Sequence, residues 1–359
     1  MNKKIALLPG DGIGEEVCAE AVRVLDAVAQ ANGHSFEYEK GLIGGAAWDD
    51  HQSHFPDATL KVCQGSDAIL FGSIGGPIDL AHEPKWKDCE KNSILALRKA
   101  FNFNANFRPA KVYPELVDIC PLREEVAGKG VDMLIVRELL GDIYFGEHRR
   151  ETRDGRRVAI DTAEYTEDQI ASVAHTAFKA ASKRRKSLVS VDKANVLETS
   201  RLWREVVKEV SAEYPDVELE DMFVDNAAMQ IIRDPSRFDV IVTANLFGDI
   251  LSDAAAVLPG SLGLTPSASL NSEGFGMYEP QGGSAPELEG KGVANPIAQI
   301  LSSGMLLKFS FGLIKEADSI TQAVEKSLEQ GFRTADIASA ESEKLSTTEM
   351  TNKIIENLS

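Results

Sequence analysis

Short apolar runs rich in β-formers alternate along the chain with longer segments in which apolar residues recur at helical spacing. Residues 4–8 precede a helical pattern over 15–31, 68–71 precede 93–101, 188–191 precede 198–214, and 240–243 precede 248–258, with a further strand-like run at 133–136. Such alternation predicts an α/β architecture built on a largely parallel sheet. In sheets of that kind, ligands collect beyond the carboxyl ends of the strands, so chemistry is sought in the residues that follow each apolar run. Segment 142–160 breaks the alternation with Tyr144-Phe145, many charges and a turn signal at Asp154-Gly155. It predicts a protruding hairpin, with a surface loop as the alternative.

Composition narrows the class. With 359 residues, 43% of them hydrophobic, the chain can bury the core of one large or two medium domains. No apolar run approaches the ~20 residues that a bilayer span needs. The opening apolar stretch is broken by Pro9, Gly10, Asp11 and Gly12 where a secretory signal would continue, which predicts a cytoplasmic protein. Cys18, Cys63, Cys89 and Cys120 show neither CxxC pairing nor zinc-finger spacing and are expected as free thiols. A formal charge of −18 opposes nucleic acid as a partner, and the basic run 183–186 is expected to be the solvated end of the helix over 170–181.

Candidate chemistry lies at the predicted strand ends. Asp249 and Asp253, in Asn-Leu-Phe-Gly-Asp-Ile-Leu-Ser-Asp, sit four apart on a helix among apolar neighbours. Two like charges on one face repel unless a cation separates them, and a solvated helix face is the plainer reading. Asp225 follows another apolar run, and three such hard oxygen donors suit Mg²⁺ or Mn²⁺ while leaving positions for a chelating 2-hydroxy acid. Arg98, Arg108 and Arg137 supply the cations that an acidic protein needs to hold a dicarboxylate, since guanidinium forks match carboxylates. Surface ion pairs are the alternative for each, least so for Arg137 at a strand end. Lys193 and Tyr144 are candidates for proton transfer. Pro9-Gly-Asp-Gly-Ile-Gly lacks the spacing of a dinucleotide fingerprint and reads equally as a tight strand-to-helix turn. The loop Gly282-Gly-Ser-Ala-Pro-Glu-Leu-Glu-Gly is the stronger cofactor candidate, with Glu287 placed to bind ribose hydroxyls and repel a 2'-phosphate, favouring NAD.

Taken together, LLPGDGIG at 7–14, LRKAF at 97–101, VRELLGDIYFGE at 136–147, VDKANVLE at 191–198 and NLFGDILSDAAAVLPGSLGLTPSASL at 245–270 resemble the β-decarboxylating dehydrogenase family, nearly end to end. Within this family, which also holds isocitrate, homoisocitrate and tartrate/D-malate enzymes, the RELLGDIYFGE segment is similar to the isopropylmalate branch. The resemblance implies a two-domain isopropylmalate/isocitrate dehydrogenase-like α/β fold with a large mixed, mostly parallel sheet, distinct from a standard Rossmann fold. Its discontinuous first domain would comprise 1–103 and 260–359, and its second, 104–259, would carry the metal, the substrate and a dimerising arm at 142–160.

The same resemblance implies an NAD-dependent oxidative decarboxylation of 3-isopropylmalate to 2-oxo-4-methylpentanoate in leucine biosynthesis, in a homodimer with shared sites. Asp225, Asp249 and Asp253 would hold Mg²⁺ or Mn²⁺; Arg98, Arg108, Arg137 and Asp225 would bind substrate; Lys193 would act as base and Tyr144 as acid. Lys193 and Asp225 would come from the second subunit. Gly283, Ser284, Ala285, Pro286, Glu287, Leu288 and Asn295 would contact the cofactor. Ile94 and Leu95, one helical turn before Arg98, would floor an isopropyl group and leave the third carboxylate of isocitrate unpaired. A tartrate/D-malate enzyme is the alternative within the family, and a non-enzymatic metal-binding scaffold the alternative outside it. The sequence departs from the family at Gly282, where His is usual, and at Glu287, where Asp is usual; 78–91 matches poorly, leaving Glu90 as its one candidate contact.

Overall fold

The computed structural model describes residues 1–340 and 342–359. The chain forms two compact units: Met1–Phe101, Tyr113–Pro121 and Pro259–Ser359 make the first, Asn102–Val112 and Leu122–Leu258 the second. Placing Tyr113–Pro121 in the first unit differs from the expected 104–259 boundary. The reason is local: Arg333 donates to the Glu115 carbonyl at 2.9 Å, and Gly260 closes directly against Ile119.

Twelve principal strands follow in chain order: β1 (Asn2–Gly10), β2 (Ser35–Lys40), β3 (Ala68–Ser73), β4 (Ala105–Lys111), β5 (Asp132–Glu138), β6 (His148–Arg153), β7 (Arg156–Asp161), β8 (Ser187–Asp192), β9 (Glu218–Phe223), β10 (Val240–Thr243), β11 (Pro266–Leu270) and β12 (Gly276–Pro280). In the first unit the strand order is β2-β1-β3-β12-β11, parallel except for β11 against β12. In the second it is β4-β5-β10-β8-β9, parallel except for β4 against β5. The mixed, mostly parallel arrangement over ten strands is the one expected. Every residue of β3 and β10 is buried, as in strands covered on both faces, which is why they read as unbroken apolar runs.

The covering helices obey the amphipathic rule with one exception. Glu167–Ser182 starts at a Thr166/Gln169 capping box and buries Ile170, Val173, Ala174, Ala177, Phe178 and Ala181, one stripe at helical spacing. Ile297–Phe309 is buried almost all round and so has no polar face to mark it in the sequence. The basic run after Glu167–Ser182 is not merely solvated. Arg184 donates to Asp239 and Asp132, both at 2.8 Å, and Arg185 to the Phe238 carbonyl, tying the helix end to the segments that open β5 and β10. The 93–101 pattern also resolves differently, as a π turn at Lys91–Leu95 followed by a short helix, Ala96–Ala100.

Within the 142–160 segment the hairpin is β6 and β7, His148–Asp161, whereas Asp142–Tyr144 is a separate 3-10 turn. β6 and β7 pair only with each other in a two-stranded sheet, and Asp154 (φ 49°) and Gly155 (φ 74°) form the turn with both central residues left-handed. All four cysteines are buried and unpaired, and burial pushes the thiols of Cys63 and Cys89 up to about 12. No helix among the described residues is long and apolar enough to cross a membrane.

Pro9-Gly-Asp-Gly-Ile-Gly is a packing turn. Gly12 has φ +57°, and a Cβ there would lie 2.0 Å from the Ser284 carbonyl oxygen, which accepts from Ile13 N at 2.9 Å. Asp11, buried beside it, accepts from the backbone N–H groups of Gly45, Ala46 and Gly75 at 3.1, 2.8 and 3.0 Å. Gly12→Ala must therefore strain its backbone and displace the 284 loop. Thermal unfolding should show a stability loss of about 1–3 kcal/mol, and an unchanged melting temperature would refute this close packing.

Candidate active site

β5 and β10 run parallel in register, with Arg137 beside Thr243, and the helix Asn245–Ala256 starts just past that edge. Arg137 is only 2% exposed. Its Nε and one terminal nitrogen donate to Asn245 Oδ1 at 2.9 and 2.8 Å, and the other terminal nitrogen donates to Asp249 Oδ1. A buried guanidinium is tolerable only when its donors are met in this way. Gly248 makes the approach possible, since a Cβ there would stand 2.7 Å from Arg137 Cγ. On neighbouring β4, Arg108 donates to Asn106 at 2.7 Å, Ser252 at 2.8 Å and Asp253 at 3.0 Å. The predicted pair Asp249/Asp253 thus lies on one helix face, but arginines meet it there.

Tyr144 donates to Asp249 Oδ2 at 2.8 Å, and the Arg137 guanidinium lies 5.3 Å from its ring centroid. Burial, and then the Asp249 carboxylate, raise the phenol's pKa, with Arg137 opposing; the net effect keeps its proton on. The helix carrying Asp249 has no cap of its own. Asp142 Oδ2 accepts from Leu246 N at 3.0 Å and Tyr165 Oη from Asn245 N at 2.8 Å, satisfying its first turn from outside.

Lys193 and Asp225, at the ends of β8 and β9, pair with each other at 3.1 Å. Lys193 holds the Asp225 carboxyl below the usual range. Among the described residues no group of three or more His, Cys, Asp or Glu comes together to hold a metal. One chain therefore gathers Asp249 and Asp253 with Arg108, Arg137 and Tyr144, and keeps Lys193 and Asp225 as a separate couple.

In the first unit, Arg98 is buried and pairs with buried Glu279 at 3.2 Å, while its Nε has no hydrogen-bond partner. Ile94 and Leu95, half-buried, end the π turn that leads to it, and Glu90 is exposed at the start of that turn. A cavity of about 270 Å³ is lined by Gly283, Ala285, Leu288 and Asn295 of the expected cofactor residues, with Ile13, Gly282 and Gln299. Ser284 is buried and holds the loop through its carbonyl, and Pro286 and the exposed Glu287 form a single 3-10 turn between lining residues. Ala285 sits at φ 39°, a conformation that a residue with a side chain seldom adopts outside functional loops. Gly282 has no such need: a Cβ there would meet its nearest neighbour, in Leu262, at 3.5 Å, an ordinary contact.

The isocitrate/isopropylmalate dehydrogenase family matches over residues 4–354. The chain belongs to this family. It is 51% identical to the 3-isopropylmalate dehydrogenase of Nitratidesulfovibrio vulgaris over 100% of both chains, and 53% identical to that of Shouchella clausii over 100% of this chain and 98% of the relative. Among solved structures, the isocitrate dehydrogenase of Methylococcus capsulatus superposes with a TM-score of 0.86 at 34% identity, covering 99% of each chain. As a member of the isocitrate/isopropylmalate dehydrogenase family, the chain is an oxidoreductase of the decarboxylating type.

Sequence reasoning missed the residues that hold the candidate side chains in place: Asn106, Glu138, Asp142, Tyr165 and Asn245 in the second unit, and Glu279 beside Arg98 in the first. Only position gave a signal, since Glu138 follows Arg137 and Asn245 opens the Asp249 helix. Glu138 accepts from Leu140 N at 2.6 Å and Gly141 N at 2.9 Å, and burial pushes its pKa from 4.5 up to about 7. The folded protein therefore binds this proton more tightly than the unfolded chain between those values, and the stability contribution of Glu138 falls as pH rises through them. Denaturant midpoints across that range should decline less steeply in Glu138→Gln than in the unaltered protein. Equal slopes would remove Glu138 from the linkage.

Proposed function

We propose that the chain oxidises and decarboxylates 3-isopropylmalate with NAD as hydride acceptor, a step of leucine biosynthesis, and that it does so as a homodimer. One observation carries the reading: a buried guanidinium, a carboxylate and a protonated phenol converge at Asp249 past the end of β5, the groups needed to hold a hydroxy-dicarboxylate and reprotonate carbon. The relatives at 51% and 53% identity name the substrate, and half-buried Ile94 and Leu95 beside Arg98 suit its isopropyl group.

Arg108 and Arg137, together with Arg98, bind the two carboxylates of the substrate by charge-assisted hydrogen bonds. Asp249 and Asp253, completed by Asp225 of the partner subunit, fit a divalent cation through hard oxygen donors. When bound, Mg²⁺ or Mn²⁺ would supply Lewis acidity to the substrate hydroxyl, and NAD would serve as hydride acceptor. Lys193 of the partner subunit accepts the hydroxyl proton as the C–H hydride leaves. Loss of CO₂ from the β-keto acid follows, and Tyr144 returns a proton to the carbon that carried it. Glu287 beside the cavity opposes a 2'-phosphate, which favours NAD over NADP.

Exposed apolar side chains support the dimer. Met229 and Ile232 on the helix Val224–Arg233 and Ile250 on Asn245–Ala256 are each more than half exposed, with Val257 just after them. Apolar groups clustered in this way mark an association surface. The β6/β7 hairpin, marginal when isolated, half-buries Val158 and Ile160 on one side and suits an arm that packs on a second subunit.

NADH formation with Mg²⁺ or Mn²⁺ should be fastest with 3-isopropylmalate when it is compared with D-malate, tartrate and isocitrate, and should vanish with a chelator. A faster smaller or tricarboxylic substrate would overturn the assignment of Ile94 and Leu95, and activity surviving chelation would take the metal out of the mechanism. Lys193→Ala and Tyr144→Phe should each be nearly inactive as homodimers. Unfolding and refolding the two variants together should restore activity, because one of the two sites in a mixed dimer is intact. No recovery in verified mixed dimers would place both residues in the site of one chain.

A further inference from the structure

Lys193 stands on a turn that is gripped on both sides. Asp192, the last residue of β8, is 1% exposed; its two oxygens accept from Arg204 Nε at 2.8 Å and Nη2 at 2.9 Å, and Oδ1 accepts also from Ala194 N at 2.9 Å. Lys193 N donates to Ser200 Oγ at 3.0 Å. Ser200 and Arg204 lie one turn apart on the helix Glu198–Ser211, so a single helix face holds the backbone before, at and after the lysine. Stability alone does not call for this arrangement, since apolar side chains of similar volume commonly replace a buried ion pair without loss. The same guanidinium reaches a second element. Its Cζ lies 5.1 Å from the centroid of the Phe223 ring, and Lys193 Nζ lies 6.0 Å from that centroid. Phe223 ends β9 in register with Asp192, two residues before Asp225, and is 38% exposed, so its ring adds little to the core and serves instead as a surface shared by two cations.

We propose that Arg204 is the positioning residue for Lys193, fixing its turn through Asp192 and the flank of its side chain through Phe223, an inference that rests on the role of Lys193 as proton acceptor above. A lysine carries its nitrogen on a flexible four-carbon stem, and a general base must lie within hydrogen-bond reach of the proton it takes. Fixing both the backbone from which the stem leaves and the ring beside which it runs narrows the positions that the nitrogen can occupy. Arginine suits this task and lysine does not, because the planar fork meets both oxygens of Asp192 while the guanidinium lies over the Phe223 ring. Three elements, β8, β9 and the helix between them, are thereby brought to bear on one side chain.

Turnover and substrate affinity separate this role from a merely structural one. Arg204→Lys keeps the charge but not the fork, and should lower kcat about tenfold while KM for 3-isopropylmalate stays within about twofold of the unaltered value. Phe223→Leu, at an exposed ring, should do the same, and Phe223→Tyr should retain the turnover that Phe223→Leu loses. Mixed dimers then identify the residue through which Arg204 acts. Refolded together with Tyr144→Phe, Arg204→Lys should recover activity above the mean of the two parents, because one site of the mixed dimer has its acid, its base and its arginine unaltered. Refolded with Lys193→Ala it should not, because every site then has either no base or a misplaced one. An unchanged kcat in Arg204→Lys or Phe223→Leu, a KM that rises as kcat falls, recovery with Lys193→Ala or no recovery with Tyr144→Phe would overturn this inference alone. An unaltered protein that does not turn over 3-isopropylmalate, or no recovery in mixed dimers of Lys193→Ala with Tyr144→Phe, would overturn the proposed function and this inference with it.

Discussion

Burying the Arg137 guanidinium at the end of β5 sets the terms for the second unit. A cation removed from water needs acceptors on every side, and here Asn245 and Asp249 supply them from the first two turns of one helix. That helix must begin at the strand edge, which requires Gly248 to carry no Cβ, and its first turn must be satisfied by Asp142 and Tyr165. Asp249, oriented by Arg137, then receives the phenol of Tyr144. Removing the charge would leave Asp249 with a different partner and the helix start with little reason to sit where it does.

The first unit rests on a different constraint, the close passage of three backbone segments. Gly12 touches the 284 loop at a distance no side chain allows, while the Asp11 carboxylate gathers the N–H groups of Gly45, Ala46 and Gly75. The loop at Ser284 and the 73–75 segment are thereby referred to one turn after β1. Glycine in that turn serves packing, and its likeness to a phosphate-binding fingerprint is incidental.

Much of this was legible in the sequence, for physical reasons that differ from element to element. β3 and β10 announced themselves because strands covered on both faces are apolar throughout, and Glu167–Ser182 because its core stripe repeats at helical spacing. Ile297–Phe309 gave no such signal, being buried on nearly all sides, and the weakly alternating β4, β11 and β12 lacked one too. At the site, Arg137 and Asp249 were found because charges beside apolar runs are unusual. Glu138, Tyr165 and Asn245 were not, since their importance lies in hydrogen bonds between segments distant in sequence. The pairing of Lys193 with Asp225 was likewise invisible to spacing.

The burial of Cys18, Cys63, Cys89 and Cys120 has a practical corollary. Thiolates, not thiols, attack electrophiles, and burial both shields these sulfurs and, at Cys63 and Cys89, holds the proton on. A cysteine introduced at the exposed tip of the hairpin would therefore outcompete the native ones for a maleimide dye, giving a singly labelled protein whose arm can be followed by fluorescence without first stripping the core of its own sulfur.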